Sequence, residues 1–342
     1  MESTMPLSPR LSALLPRLSA VACLLLMPAA VAAAPDRSDR LEAFDRTVTE
    51  KPFEITVDQR ACSPEGIHVQ VLGAGGPGLD DGSASSGYLV WVDGRARVLV
   101  DTGPGTALNY EKSGADFADL VAIVYTHLHP DHSSDLPAFV QGSEQAGRTE
   151  DLPLYGPAGN DLVPGVNDWI DRLIGPNGSW PLLSDYLSSL SSGGYKLIPY
   201  QMDASGRSAA NAFRRDGISL TAIPTDHGRV PALAWRVDVE GVGITFTGDT
   251  ANRRQTVAGL AEGSAILVAH HAVPESVRGA ERERHMPPSQ IGRIAEQADV
   301  NMVILSHRTA RTRGRESQSR DVIRESFRGG LVFANDLECW ET

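Results

Sequence analysis

The sequence predicts a mixed α/β domain, and three observations carry that prediction. Strand-like segments predominate from about residue 66 onward, with helix-patterned segments between some of them. No internal period of 20–50 residues is present to suggest a solenoid. Four of the strand-like segments each end on a histidine or aspartate. A chain of 342 residues, 41% hydrophobic and 22% charged, can build a sizeable core in one large domain or two small ones.

The first 34 residues read as an export signal. Arg10 and Arg17 precede an apolar stretch, Leu18 to Ala34, containing VACLLLMPAAVAAA. Ala30-Val31-Ala32 fits a signal-peptidase site, with cleavage after Ala33 or Ala34 as variants. The run is short for a membrane span and carries Pro28. An uncleaved anchor is the competing reading. The expected mature protein is periplasmic or secreted and has no membrane span. Cleavage removes Cys23 and leaves Cys62 and Cys339. An oxidising compartment permits a disulfide between them, which would tie the ends of the domain together, and two buried thiols are the alternative.

Residues 35–60 are charged and irregular and read as an N-terminal arm, with the main domain over 61–342. IHVQVLG alternates as a strand does, and GAGGPGLDDGSASSG is a Gly/Ser-rich loop. YLVWVDGRARVLVDTG holds two apolar runs around Asp93-Gly94, a hairpin signal. LVAIVYTH is an apolar strand that runs into the next motif. Residues 141–215 are less regular and read as a substrate-side insertion over one edge of the core. Within them DLPLYG is a short strand, and VNDWIDRLIG places Val166, Trp169, Ile170 and Ile174 at helical spacing. Trp180 and Tyr186 line a pocket there or simply pack. GISLTAIPTDHG, ALAWRVDVEGVGITFTGDT, SAILVAHH and VNMVILSH read as strands, and PPSQIGRIAEQA as a helix with proline at its start.

The net charge of −12 argues against nucleic acid, whose phosphates are bound chiefly by Lys and Arg. The run Arg308, Arg311, Arg313, Arg315 is the one candidate basic patch and reads as a solvated face.

The chemistry is concentrated in THLHPDH, residues 126–132. It holds three of the nine histidines. His127 and His129 are two apart, so an extended turn can aim both at one ion, and Asp131 and His132 could serve a second. The apolar runs before His127, His227, Asp249 and His307 deliver these residues at strand ends, where buried strands can place polar groups. Imidazole and carboxylate together suit zinc, and also iron or manganese. The absence of cysteine disfavours a closed structural zinc site. A lone histidine such as His68 reads as an ordinary hydrogen-bonded one.

His127-x-His129-x-Asp131-His132, followed by His227, Gly248-Asp249-Thr250 and Ser306-His307, resembles the metallo-β-lactamase-fold hydrolase superfamily over about residues 66–342. HGRVPALAWRV and HMPPSQIGRIAEQADVNMVILSH resemble its ribonuclease Z and arylsulfatase-like branch. The resemblance implies a four-layer αββα sandwich with a dinuclear site at one edge. It implies one metal on His127, His129 and His227, a second on Asp131, His132 and His307, and Asp249 bridging. His285 and Asp131 are the implied catalytic residues, His285 as proton donor, although HMPP departs from the usual continuation. Asp226, next to His227, orients a ligand or is a turn aspartate, and His270 and His271, which follow SAILVA, are expected near the metals.

The expected protein is therefore an exported hydrolase with two zinc ions. A metal-bound hydroxide would attack a small anionic or carbonyl substrate, with sulfate and phosphate esters foremost. The step of 22 positions from His227 to Asp249 leaves no room for the tRNA-clasping arm of bacterial ribonuclease Z. β-Lactamase or lactonase chemistry, a mononuclear iron persulfide dioxygenase and a non-catalytic metal binder stay open. A homodimer is compatible with the reading.

Overall fold

A computed structural model describes residues 62–188 and 194–342. The signal (1–34), the arm (35–60), Cys23 and part of the serine-rich stretch lie outside the described residues. The described residues cluster as one unit. Among the described residues no helix is long and apolar enough to cross a membrane.

Among the described residues, fourteen strands form two seven-stranded sheets. The first contains β1 (Ile67–Gly73), β2 (Gly87–Val92), β3 (Arg95–Val100), β4 (Ala122–Val124), β5 (Leu152–Pro157) and β6 (Leu197–Met202). The second contains β7 (Ala210–Arg215), β8 (Ile218–His227), β9 (Val230–Val239), β10 (Val242–Phe246), β11 (Ser264–His270), β12 (Met302–Ser306) and β13 (Gly330–Phe333). β14 (Cys339–Glu341) returns to the first sheet beside β1. β1 to β6 pair antiparallel twice and then parallel three times. β8 to β13 repeat that pattern.

The helices are α1 (Thr106–Ser113), α2 (Pro130–Ser133), α3 (Leu136–Gly142), α4 (Val166–Ile174), α5 (Val257–Leu260), α6 (Pro288–Gln297) and α7 (Glu316–Arg324). Three apolar clusters define four layers. Val69, Tyr88, Val90 and Val98 of the first sheet meet Leu220, Trp235, Ile244 and Phe246 of the second. The other face of the first sheet packs Leu89, Leu99 and Ile123 against Tyr110, Phe139 and Ile170 of α1, α3 and α4. The other face of the second packs Leu267, Val303 and Leu305 against Val257, Ile291 and Ile323 of α5, α6 and α7. Strands covered on both faces must be apolar throughout, which is why β4 and β12 read as unbroken apolar runs. The αββα sandwich expected from the resemblance is what the chain builds.

The described residues of 141–215 supply β5 and the edge strand β6 of the first sheet, the edge strand β7 of the second, and α4, whose Val166, Ile170 and Ile174 are buried. The weak patterning has a physical cause. β7 is largely exposed, and β6 combines Pro199 with exposed Tyr200, so neither shows a buried face. Tyr186 packs on Tyr195, while Trp180 is exposed.

Cys62 and Cys339 form a disulfide with Cα atoms 5.4 Å apart. It joins the segment before β1 to the strand that pairs with β1.

Two cross-sheet clamps position the loops that carry the histidines. Trp235 Nε1 donates to the Tyr125 carbonyl at 2.9 Å, and Leu233 N donates to the Thr126 carbonyl at 2.8 Å. The second sheet thus grips the first immediately before His127, which ends β4 after three residues. In return, Arg308 N donates to the Ala74 carbonyl at 2.8 Å, immediately after His307.

Candidate metal centre

His127 and His129 leave the end of β4, and Asp131 and His132 follow on α2, whose first residue is Pro130. Proline there fixes φ and gives up only an N–H that a helix start leaves unpaired anyway. His227 closes β8, Asp249 lies three residues beyond β10, and His307 follows β12 directly. His307 has φ +52°, a left-handed conformation uncommon for residues other than glycine. Two glycines make room for this packing. A Cβ on Gly76 would lie 2.9 Å from His307 Cε1, and one on Gly248 2.6 Å from Thr126 Cβ.

The structure brings all seven sequence-predicted ligands together. His127 Nε2 lies 3.0 Å from His129 Nδ1, with the His227 ring 4.9 and 5.1 Å from theirs. His307 Nε2 lies 3.1 Å and His132 Nε2 3.7 Å from Asp131 Oδ2. Asp249 stands between the sets. Its Oδ2 is 3.7 Å from His227 Nε2 and 3.8 Å from His132 Nε2, and its Oδ1 is 3.5 Å from His307 Nε2. Two nitrogens on one tetrahedral zinc stand roughly 3.3 Å apart, so these spacings suit shared ions. His285 also arrives, with Nδ1 3.8 Å from Asp249 Oδ2 and its side chain 10% exposed.

Burial and charge explain the protonation of the cluster. Burial among neighbouring histidines holds His127 well below the usual imidazole range. Burial would also raise the Asp249 carboxyl, but His307 and His285 facing it hold it well below the carboxylate range. Burial pushes His285 down to about 4 against the pull of Asp249. His132 goes the other way. Burial opposes its charge, yet Asp101, Asp249 and Asp131 together raise it to about 9. Its Nδ1 lies 2.8 Å from Asp101 Oδ2, while Nε2 is buried with no hydrogen-bond partner. Asp101 holds Nδ1, while Asp131 and Asp249 face Nε2 at 3.7 and 3.8 Å, a place that suits a proton or a metal ion. The donor set therefore fits divalent metal.

Asp101 is the residue that sequence reasoning passed over. It is fully buried, has φ +56°, and accepts from Thr126 N at 2.8 Å and Thr126 Oγ1 at 2.7 Å as well as facing His132. Its signal was present, since Val98, Leu99 and Val100 deliver it at a strand end like the others. Tyr88 was missed too. Its hydroxyl lies 3.0 Å from His270 Nε2 and donates to Ser306 Oγ at 2.9 Å. His270 belongs beside the ligands as expected, with Nδ1 2.8 Å from Asp249 Oδ1. His271 does not. It points to the helix side, where Nε2 lies 2.8 Å from Ser319 Oγ, because adjacent residues leaving a strand face opposite ways. Asp226 orients no ligand. It accepts from Arg254 N at 3.1 Å, and His227 is held instead by the Arg284 carbonyl, 3.0 Å from Nδ1.

Three arginines of the run are engaged: Arg308 is buried and paired with Glu316, Arg311 is paired with Glu281, and Arg313 bonds Ser83 and faces Asp81.

A sequence profile for the Beta-lactamase superfamily domain matches residues 96–308, which span the cluster from Asp101 to His307. The chain belongs to that superfamily. Ribonuclease Z of Mycobacterium avium (strain 104) is 29% identical over 291 residues, covering 79% of this chain and 96% of the relative. Ribonuclease Z of Mycobacterium bovis (strain BCG / Pasteur 1173P2) is 26% identical over 283 residues, covering 79% and 96%. Among solved structures, the metallo-beta-lactamase fold protein YhfI from Bacillus subtilis superposes with a TM-score of 0.62 at 20% identity, covering 81% of this chain and 99% of that one. The short form of human tRNase Z gives 0.61 at 18%, covering 80% and 98%. The superfamily member is a metal-dependent hydrolase on the ribonuclease Z side of the family. The arylsulfatase half of the expectation gains nothing from these likenesses.

Proposed function

We propose that the protein is an exported, dinuclear zinc hydrolase of small phosphodiesters. The carrying observation is the place of Asp249, within 3.5–3.8 Å of His132, His227 and His307, ligand atoms from both sets. His127, His129 and His227 would hold one ion and Asp131, His132 and His307 the other. When bound, such ions supply Lewis acidity and an acidified water.

The chain's own residues orient and move protons. Asp101 holds the His132 ring through Nδ1, and the Tyr88 hydroxyl fixes His270 against Asp249. Such supporting contacts set ligand orientation and basicity. His285 has Nε2 4.0 Å from Glu281 Oε2. Burial keeps it neutral at pH 7 in the resting protein. A bound phosphodiester anion would join Glu281 and Asp249 in favouring the imidazolium, which would place a proton donor beside the leaving oxygen.

The relatives' name, ribonuclease Z, supports a phosphodiester and gives no reason to keep sulfate foremost. It also pulls toward nucleic acid. Against a long RNA stand the net charge of −12, the paired arginines, and the stretch from His227 to Asp249, which contains only β9, β10 and their turns. The export signal and the Cys62–Cys339 bridge support a location outside the cytoplasm.

The test is a panel on zinc-loaded protein: bis(4-nitrophenyl) phosphate, 4-nitrophenyl phosphate, 4-nitrophenyl sulfate, nitrocefin and a precursor tRNA. The diester is expected to give the highest kcat/KM. His285→Ala is expected to lower that rate by about 10²–10⁴-fold, the range for a lost proton donor. Faster turnover of the sulfate or of nitrocefin would sink the substrate assignment.

A further inference from the structure

We propose that Asp336 is a positioning residue for His307, acting through the backbone of residues 74–76. This rests on the dinuclear reading above. His132, His227 and His307 each turn Nε2 toward Asp249. Two of these rings are held at the opposite nitrogen, His132 by Asp101 and His227 by the Arg284 carbonyl. His307 is not. Its Nδ1 is buried without a hydrogen-bond partner.

Backbone takes the place of that missing bond. A Cβ on Gly76 would lie 2.9 Å from His307 Cε1 and 3.1 Å from its Nδ1, so the Gly76 backbone packs directly on the imidazole. Residues 74–76 run beside Arg308 and form a parallel bridge there. Arg308 N donates to the Ala74 carbonyl at 2.8 Å, and Gly76 N donates to the Arg308 carbonyl at 3.3 Å.

Asp336 fixes this strip from its other side. Its Oδ1 accepts from Ala74 N at 2.9 Å, and its Oδ2 from Ala84 N at 2.7 Å. Gly75 N donates to the Ala84 carbonyl, and Ser85 Oγ to the Gly76 carbonyl, both at 2.9 Å. One carboxylate thus closes the neck of the loop between β1 and β2, and His307 rests on that neck. Bonds from backbone N–H groups to an ionised acceptor are about twice as strong as neutral ones. Asp336 is itself anchored, because Leu337 N donates to the Val71 carbonyl at 2.6 Å. His127, His129 and His227 arrive from β4 and β8, outside this neck. The effect of Asp336 is therefore confined to the ion on Asp131, His132 and His307.

The experiment is a calorimetric zinc titration of the metal-free chain, with the His307 ion identified as the one lost in His307→Asn. In Asp336→Ala that ion is expected to bind about 10–100-fold more weakly, the cost of losing a contact that orients a ligand, while the other stays within about 3-fold. Asp336→Asn keeps one acceptor oxygen for two N–H groups and is expected to fall between. Gly76→Ala crowds the ring with Asp336 in place and is expected to weaken the same ion. These two variants carry the test if Asp336→Ala does not fold. The His307 Cε1–H resonance of the metal-free chain is expected to shift in the Asp336 variants. A carboxylate that only stabilised the domain would weaken both ions alike or neither. Either result overturns the proposal, and so does an unmoved His307 resonance. Fewer than two ions on the wild-type protein overturns the dinuclear reading, and the resonance then decides the positioning by itself.

Discussion

Asp249→Ala is expected to abolish turnover, by well over the 10–100-fold that losing a mere supporting contact costs. The reason is geometric. One carboxylate lies against His132, His227, His270, His285 and His307. It is the anionic group that ligand atoms from both proposed metal sets approach. Without it, facing imidazoles lose the charge that holds them together, and no group spans the two sets. The variant should stay folded, because Asp249 lies in a loop after β10 while the core is built from Trp235, Phe246, Leu267 and their neighbours in the sheets. Circular dichroism would check the fold, and zinc titration the affinity. A variant with wild-type rates would remove Asp249 from the centre of the account.

Breaking the Cys62–Cys339 bridge carries the second large effect. The two residues are 277 positions apart, so the bridge restricts the unfolded chain over almost the whole domain. Replacing both with alanine is expected to cost about 2–5 kcal/mol, as removal of a native disulfide typically does. Denaturant midpoints of the oxidised protein and the double variant measure it. Activity at low denaturant should persist, because the ligands are delivered by β4, β8, β10 and β12, none of which holds the bridge. Coincident midpoints would show that the bridge contributes nothing to stability.

Much of the site was legible because its chemistry is written in local spacing. His127-x-His129-x-Asp131-His132 is contiguous, and His227, Asp249 and His307 each follow an apolar run. Residues that act through long-range contacts were not. Asp101 matters because it meets His132 across 31 positions, and Tyr88 because it meets His270 across 182. The same division holds for the fold. Two-sided burial made β11 and β12 plain, and buried Ile291, Ile294 and Ala295 made α6 plain. β14 is three residues long, and α7 is mostly polar, burying only Ser319 and Ile323. β4 looked longer than it is because Tyr125 and Thr126 are apolar or β-branched, yet their carbonyls are taken by Trp235 and Leu233 of the other sheet.

The most direct measurement is metal content. Elemental analysis of the mature chain, purified without chelators, should find close to two zinc ions per chain, and Asp249→Ala should hold markedly less. A single iron would contradict the dinuclear hydrolase and favour an oxygenase. No metal, with none taken up from added zinc, would contradict the metal centre itself.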